Sequence, residues 1–81
     1  MKEAIERVRR MEHCFDTLQQ MAAENPDAID QALLGALRVY YEGGQWLRDY
    51  TLDEQGCFPV DLKRGVLSQD AVYDFLQKYD L

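Results

Sequence analysis

Residues 58–76 read FPVDLKRGVLSQDAVYDFL. Pro59 and Gly65 punctuate the stretch, and a basic pair, Lys63-Arg64, stands just before Gly65. A serine ahead of an apolar-periodic run marks a helix start, because its hydroxyl can accept from an unpaired N–H of the first turn. Ser68 holds that place. Leu67 before it and Val72 after it have the spacing of a hydrophobic staple. The pattern therefore predicts a helix over 69–79 with a stripe of Val72, Phe75, Leu76 and Tyr79. Lys78 falls near its C-terminus, where a cation suits the helix dipole. Residues 56–67 are rich in turn formers, and a single helical turn over 60–63 after Pro59 is the regular structure expected there. Eight of the nine aromatic residues lie from Tyr40 onward. The second half thus reads as an aromatic-rich module.

Moving back along the chain, Gly43-Gly44 and Gly56 bracket a short helix over 45–54. Its inward face is expected to be Trp46, Leu47 and Tyr50, with Asp49 and Asp53 outward. Before it, Asn25-Pro26-Asp27 is a break, since Pro26 disfavours helical geometry at Asn25. Asp27 is expected to cap a helix running to Glu42, with Asp30 in its first turn. The buried face should be Ile29, Leu33, Ala36, Leu37 and Tyr40. Leu34, Val39 and Tyr41 lie off that stripe, and Tyr40 and Tyr41 cannot both point inward. Residues 2–24 form an amphipathic helix. Met1, Ala4, Val8, Met11, Phe15, Leu18 and Ala22 recur at alternating spacings of three and four, a heptad seam. Glu3 with Arg7 and Glu6 with Arg10 add i,i+4 pairs worth about 0.2–0.5 kcal/mol each. No stretch alternates at period two for more than a few residues, so no sheet is expected. The expected fold is all-α: an antiparallel helical hairpin over 1–42, packed on the aromatic-rich helical module over 43–81, in one domain.

Composition bounds the function. A chain of 81 residues has room for one modest core. Hydrophobic residues make up 47%, too many for a disordered acidic tail. The net charge of −6 argues against nucleic acid or an anionic membrane as a direct partner, because both require a basic surface. No apolar run is long enough to span a bilayer, and the charged MKEAIERVRR start lacks a signal-peptide core. A cytoplasmic location is expected, with Cys14 and Cys57 reduced.

Few residues invite chemistry. His13, Cys14 and Cys57 could be imagined around zinc, but adjacent helix positions point about 100° apart and no second histidine or C-x-x-C is present. No metal and no cofactor is expected. A lone histidine also leaves nucleophilic schemes without their orienting group, so no catalytic residues are assigned and no enzyme is expected. Asp49 and Asp53, one turn apart, read as a solvated face. Lys63, Arg64 and Ser68 at a helix start, with Asp49 and Trp46 nearby, are the one candidate anion or partner site. Asp70 in the first turn opposes an anion there, and Arg64 is expected to tether the loop to Asp61, Asp70, Asp74 or Asp49 instead. Val8, Met11, Phe15 and Leu18 are the candidate self-association surface.

The segments YYEGGQWLRDYTLDEQG and FPVDLKRGVLSQDAVYDFL resemble a bacterial family known as domain of unknown function 4298. The resemblance covers about residues 40–80. It rests on the Tyr40-Tyr41 pair before a Gly-rich turn, on Trp46, Leu47 and Asp49, and on the run Leu62–Ser68 followed by Asp70, Tyr73 and Leu76. Gly43-Gly44 and Gln69 depart from the family pattern without threatening the fold. The resemblance implies a small, largely helical protein and carries no established activity, substrate or cofactor. Three readings follow from the residues. The first is a non-catalytic protein-interaction module that self-associates as a homodimer. The second is an acidic mimic of nucleic acid that binds a basic protein, and the third a small-anion binder at Lys63–Ser68.

Overall fold

The heptad seam folds as one helix, α1, over Lys2–Glu24. The chain is described by a computed structural model covering residues 2–80. Three further helices follow: α2 over Gln31–Glu42, α3 over Gln45–Glu54 and α4 over Ala71–Tyr79. Short 3-10 turns lie at Pro26–Ala28 and Gly65–Leu67, and among the described residues there is no strand. The all-helical expectation therefore holds. Met1, the head of the seam, lies outside the described residues.

The seam is an internal surface. Val8, Met11, Phe15 and Leu18 are buried in the core of the single chain together with Ala4 and Cys14. This corrects their assignment to self-association: the apolar stripe of α1 is already covered by the chain's own elements. Each such side chain contributes about 1.5–3 kcal/mol by leaving water, and a chain this short cannot leave that stripe exposed and keep a core. α1 packs on α2 and on the Gly65–Leu67 turn. The Phe15 ring meets Phe75 of α4 edge-on, with centroids 5.6 Å apart at 89°. One hydrophobic cluster thus draws on the first helix and on the aromatic-rich half alike.

Two helix starts fall later than the sequence suggests. Asn25 caps the Pro26–Ala28 turn by accepting from Asp27 N–H at 3.1 Å. Ile29 is then extended and buried, and Asp30 caps α2, accepting from Ala32 and Leu33 N–H at 2.8 and 3.1 Å. Asp27 is therefore not the cap. The link that buries Ile29 moves the helix start by three residues. Within α2, Leu34 is buried and Ala36 exposed, so the inward stripe is Leu34, Leu37 and Tyr40. At the other end, Ser68 N–H closes the 3-10 turn onto Gly65 O. Ser68 is thus the end of that turn and not the cap of α4. Asp70 precedes α4, and its carboxylate makes no cap bond. Its helical backbone (φ −109°, ψ −15°) lacks the extended geometry a capping side chain needs.

The Gly43-Gly44 corner sets α3 against α2. Gly44 has φ +94°, a left-handed conformation in which a Cβ is strained. At Gly43 an added Cβ would stand 2.6 Å from Val39 O. The Pro59–Leu62 segment forms a turn closed by Leu62 N–H to Pro59 O, in place of the expected helical turn over 60–63. The helical turn forms at Gly65–Leu67 instead.

Candidate functional site

α3 determines which polar groups are inside. Asp49, expected outward, is 0% exposed and is the one buried charged residue among those described. Its Oδ2 accepts from Arg7 Nε at 2.8 Å and from the Tyr40 hydroxyl at 2.8 Å. Its Oδ1 accepts from Arg7 Nη2. A two-pronged guanidinium–carboxylate bond and a phenol together satisfy the buried carboxylate. These hydrogen bonds, with the charge of Asp49, hold the Arg7 guanidinium above its ordinary pKa, against the opposing effect of burial. Burial first, and the bond to Asp49 second, push the Tyr40 hydroxyl well above the usual tyrosine range. The group ties α1, α2 and α3 at one point. It is structural, because both carboxylate oxygens of the buried Asp49 are taken up by donors of the group itself.

The inward face of α3 is thus Trp46, Asp49 and Tyr50, while Leu47, expected inside, is 60% exposed. Trp46 and Tyr50 are four apart and Asp49 lies between them on the same face. That spacing was the signal in the sequence; the charge of Asp49 masked it.

Around the 58–76 stretch the polar contacts also turn inward. Trp46 Nε1 donates to Val66 O at 2.8 Å, and Val66 N–H donates to Glu12 Oε1 of α1 at 2.7 Å. Arg64 is a tether, as expected, but its acidic partner is Asp53. Its Nη2 also donates to Pro59 O at 2.7 Å and its Nε to Leu62 O at 3.2 Å.

Between the end of α2, α3 and the start of α4 lies a groove of about 420 Å³. It is lined by Tyr41, Trp46, Leu47, Tyr50, Gln69, Asp70 and Tyr73. Trp46 stacks on Tyr50 with centroids 5.0 Å apart at 15°, Tyr41 leans on Trp46 at 5.0 Å, and Tyr41 faces Tyr73 at 6.5 Å. Trp46 itself is buried, so Tyr41, Tyr50 and the 48%-exposed Tyr73 present the accessible ring surface. Of the tyrosine pair, Tyr40 points in and Tyr41 lines the groove.

A sequence model of the family described as Domain of unknown function (DUF4298) matches residues 2–80. The chain belongs to the DUF4298 family. No curated protein and no solved structure matches it. In this DUF4298 chain the resemblance first carried by the aromatic half extends over the charged first helix as well.

The five residues of the candidate anion or partner site meet different fates in the DUF4298 fold. Asp49, Trp46 and Arg64 are held by internal partners, while Lys63 and Ser68 are exposed. Lys63 lines a second cleft of about 270 Å³ with Arg9, His13, Glu12, Asp16 and Asp61, a mixture of both charge signs. No group of three or more His, Cys, Asp or Glu side chains comes together as a metal site among the described residues. Cys14 and Cys57 are free thiols, the first buried and the second exposed. Burial, with a smaller effect from Asp30, raises the pKa of the Cys14 thiol, which donates to Leu33 O at 3.5 Å. No helix of the described residues is long and apolar enough to cross a membrane.

Proposed function

We propose that this protein is a small, non-catalytic interaction module that docks a protein partner on the aromatic groove between α2, α3 and α4. The observation that carries this reading is the exposure of Leu47 and Tyr73, at 60% and 48%, on the two sides of a ring-lined groove. Apolar and aromatic side chains collected at one exposed concavity are the composition of an interface centre. In this reading the α1–α2 pair, an antiparallel hairpin, is the scaffold, and residues 1–81 work as one domain. The homodimer is not part of it, since Val8, Met11, Phe15 and Leu18 are occupied within the chain. Free Cys14 and Cys57 fit a cytoplasmic setting.

The test compares immobilised wild type with Leu47→Asp and Tyr73→Ala in an extract of the source cell. A protein retained by the wild type and lost from both variants is the expected result. Retention by all three forms would remove the groove from the reading.

A second reading, an acidic mimic of nucleic acid, rests on charge. Residues 27–81 hold ten acids and five bases. Such a mimic would act over a broad acidic surface, so its binding would fall steeply with salt and survive loss of Tyr73. The small-anion reading at Lys63–Ser68 is not favoured, because all three guanidinium nitrogens of Arg64 already donate to protein oxygens.

A further inference from the structure

The aromatic groove has a chemical bias that docking alone does not require. Its lining contains one charged side chain, Asp70, and no cation. Asp70 stands where a helix cap would be, yet its carboxylate bonds to no backbone N–H of α4. It also forms none of the ion pairs among the described residues. The carboxylate is left facing solvent at the mouth of a ring-lined groove. Glu42 and Asp74 follow Tyr41 and Tyr73 in sequence and Arg48 follows Leu47, so Asp70 is the charge that the groove lining itself presents.

Tyrosine faces carry negative quadrupole charge at their centres and attract a cation placed over them. Guanidinium is planar and weakly hydrated, so it stacks on rings and can bond a carboxylate edge-on at the same time. Leu47 on the opposite wall offers an apolar contact for a neighbouring side chain. The groove, about 420 Å³ and open to solvent, has room for a short extended segment. On the strength of the docking reading above, we infer that the groove binds an arginine-bearing, partly apolar segment of a partner protein. The arginine lies over Tyr41 and Tyr73 and pairs with Asp70, and an apolar residue beside it packs on Leu47. The charge complementarity of a chain at net −6 supports this occupant.

The test uses a blocked peptide of alternating leucine and arginine, and the same peptide with citrulline, the neutral isostere, at each arginine. Binding is read by calorimetry and by fluorescence of Trp46, the chain's one tryptophan. The expected result is saturable binding of the arginine peptide and at least about fivefold weaker binding of the citrulline peptide. Tyr73→Ala and Asp70→Asn should each weaken the arginine peptide, while Asp27→Asn, outside the groove, should not. Asp70→Asn removes no bond of the fold, so its effect reads the contact alone, and circular dichroism checks the helices of every variant.

Equal binding of both peptides would overturn the cation assignment and leave the docking reading standing. So would failure of both peptides while Leu47→Asp still abolishes partner retention. Weakening by Asp27→Asn as large as that by Asp70→Asn would reduce the effect to diffuse attraction and end the inference. A dimer in sedimentation that Tyr73→Ala dissociates would make a second copy the occupant and overturn it as well. Failure of both peptides together with unchanged partner retention by the groove variants would remove both readings.

Discussion

Replacing Asp49 by asparagine tests whether the buried Arg7–Asp49–Tyr40 group holds three helices together. The carboxylate is fully buried and the Arg7 side chain is 15% exposed. In Asp49→Asn the amide oxygen can take the Oδ2 position and keep the bonds from Arg7 Nε and Tyr40. The amide nitrogen then faces Arg7 Nη2, donor against donor, and the charge is gone. Losing one charge-assisted bond in a buried site costs about 2–3 kcal/mol. Asp49→Ala does more. It leaves a largely buried guanidinium alone, at the low end of about 3–5 kcal/mol because Arg7 retains some access to water. It also orphans the Tyr40 hydroxyl, for about 1–3 kcal/mol. The sum reaches the whole stability of a domain of this size, about 3–5 kcal/mol. Asp49→Ala should therefore be largely unfolded at room temperature, and Asp49→Asn should melt roughly 10–20 °C below wild type. Thermal and urea melts followed by the helical circular dichroism signal read both. Replacing the whole group, as Arg7→Met with Tyr40→Phe and Asp49→Leu, should recover most of the loss, because an apolar set of similar volume avoids desolvating any charge. An Asp49→Asn melting point within a few degrees of wild type would refute the reasoning, as would a triple variant no more stable than Asp49→Ala.

Stability should fall at alkaline pH. Tyr40 and Cys14 keep their protons in the folded state above their ordinary values of 10.0 and 9.0, so the unfolded chain releases them first as pH rises. The stability they contribute is full at neutral pH and is lost above about pH 9, by up to about 1.4 kcal/mol per pH unit for each group. Urea midpoints taken upward from neutral pH should show this slope, Tyr40→Phe and Cys14→Ala should each flatten part of it, and an unchanging wild-type midpoint would contradict it. Arg64→Ala should cost about 1–2 kcal/mol through loss of Asp53 and two carbonyl bonds, with Arg64→Lys restoring only part. Arg38 pairs with Asp80 while 43% exposed; Arg38→Ala should cost at most about 1 kcal/mol, and equal losses at the two arginines would refute the difference. Phe15→Glu should abolish the helical signal, because it places a charge in the core; a folded monomer produced from a dimeric wild type would restore the intermolecular seam.

Local signals in the sequence settled the elements whose ends need only their neighbours. Glycine at 43–44 and at 56 bounded the third helix at Gln45–Glu54, as the structure has it. Spacing of three and four marked α1 as a single helix and Val8, Met11, Phe15 and Leu18 as its apolar face. A face is a local property, but what covers it is not. Only the packing of α2, α4 and the Gly65–Leu67 turn decided that the seam is internal. The starts of α2 and α4 were misplaced because burial of Ile29 and closure of Ser68 onto Gly65 compete with capping, and both depend on the chain being folded. Asp49 is the clearest case. A carboxylate on a short helix reads as solvent-facing, since an unpaired buried charge is too costly. Its partner Arg7 lies 42 residues away and Tyr40 lies across a glycine corner. Tertiary structure brings the three together, the carboxylate turns in, and Leu47 is thereby turned out to form one wall of the groove.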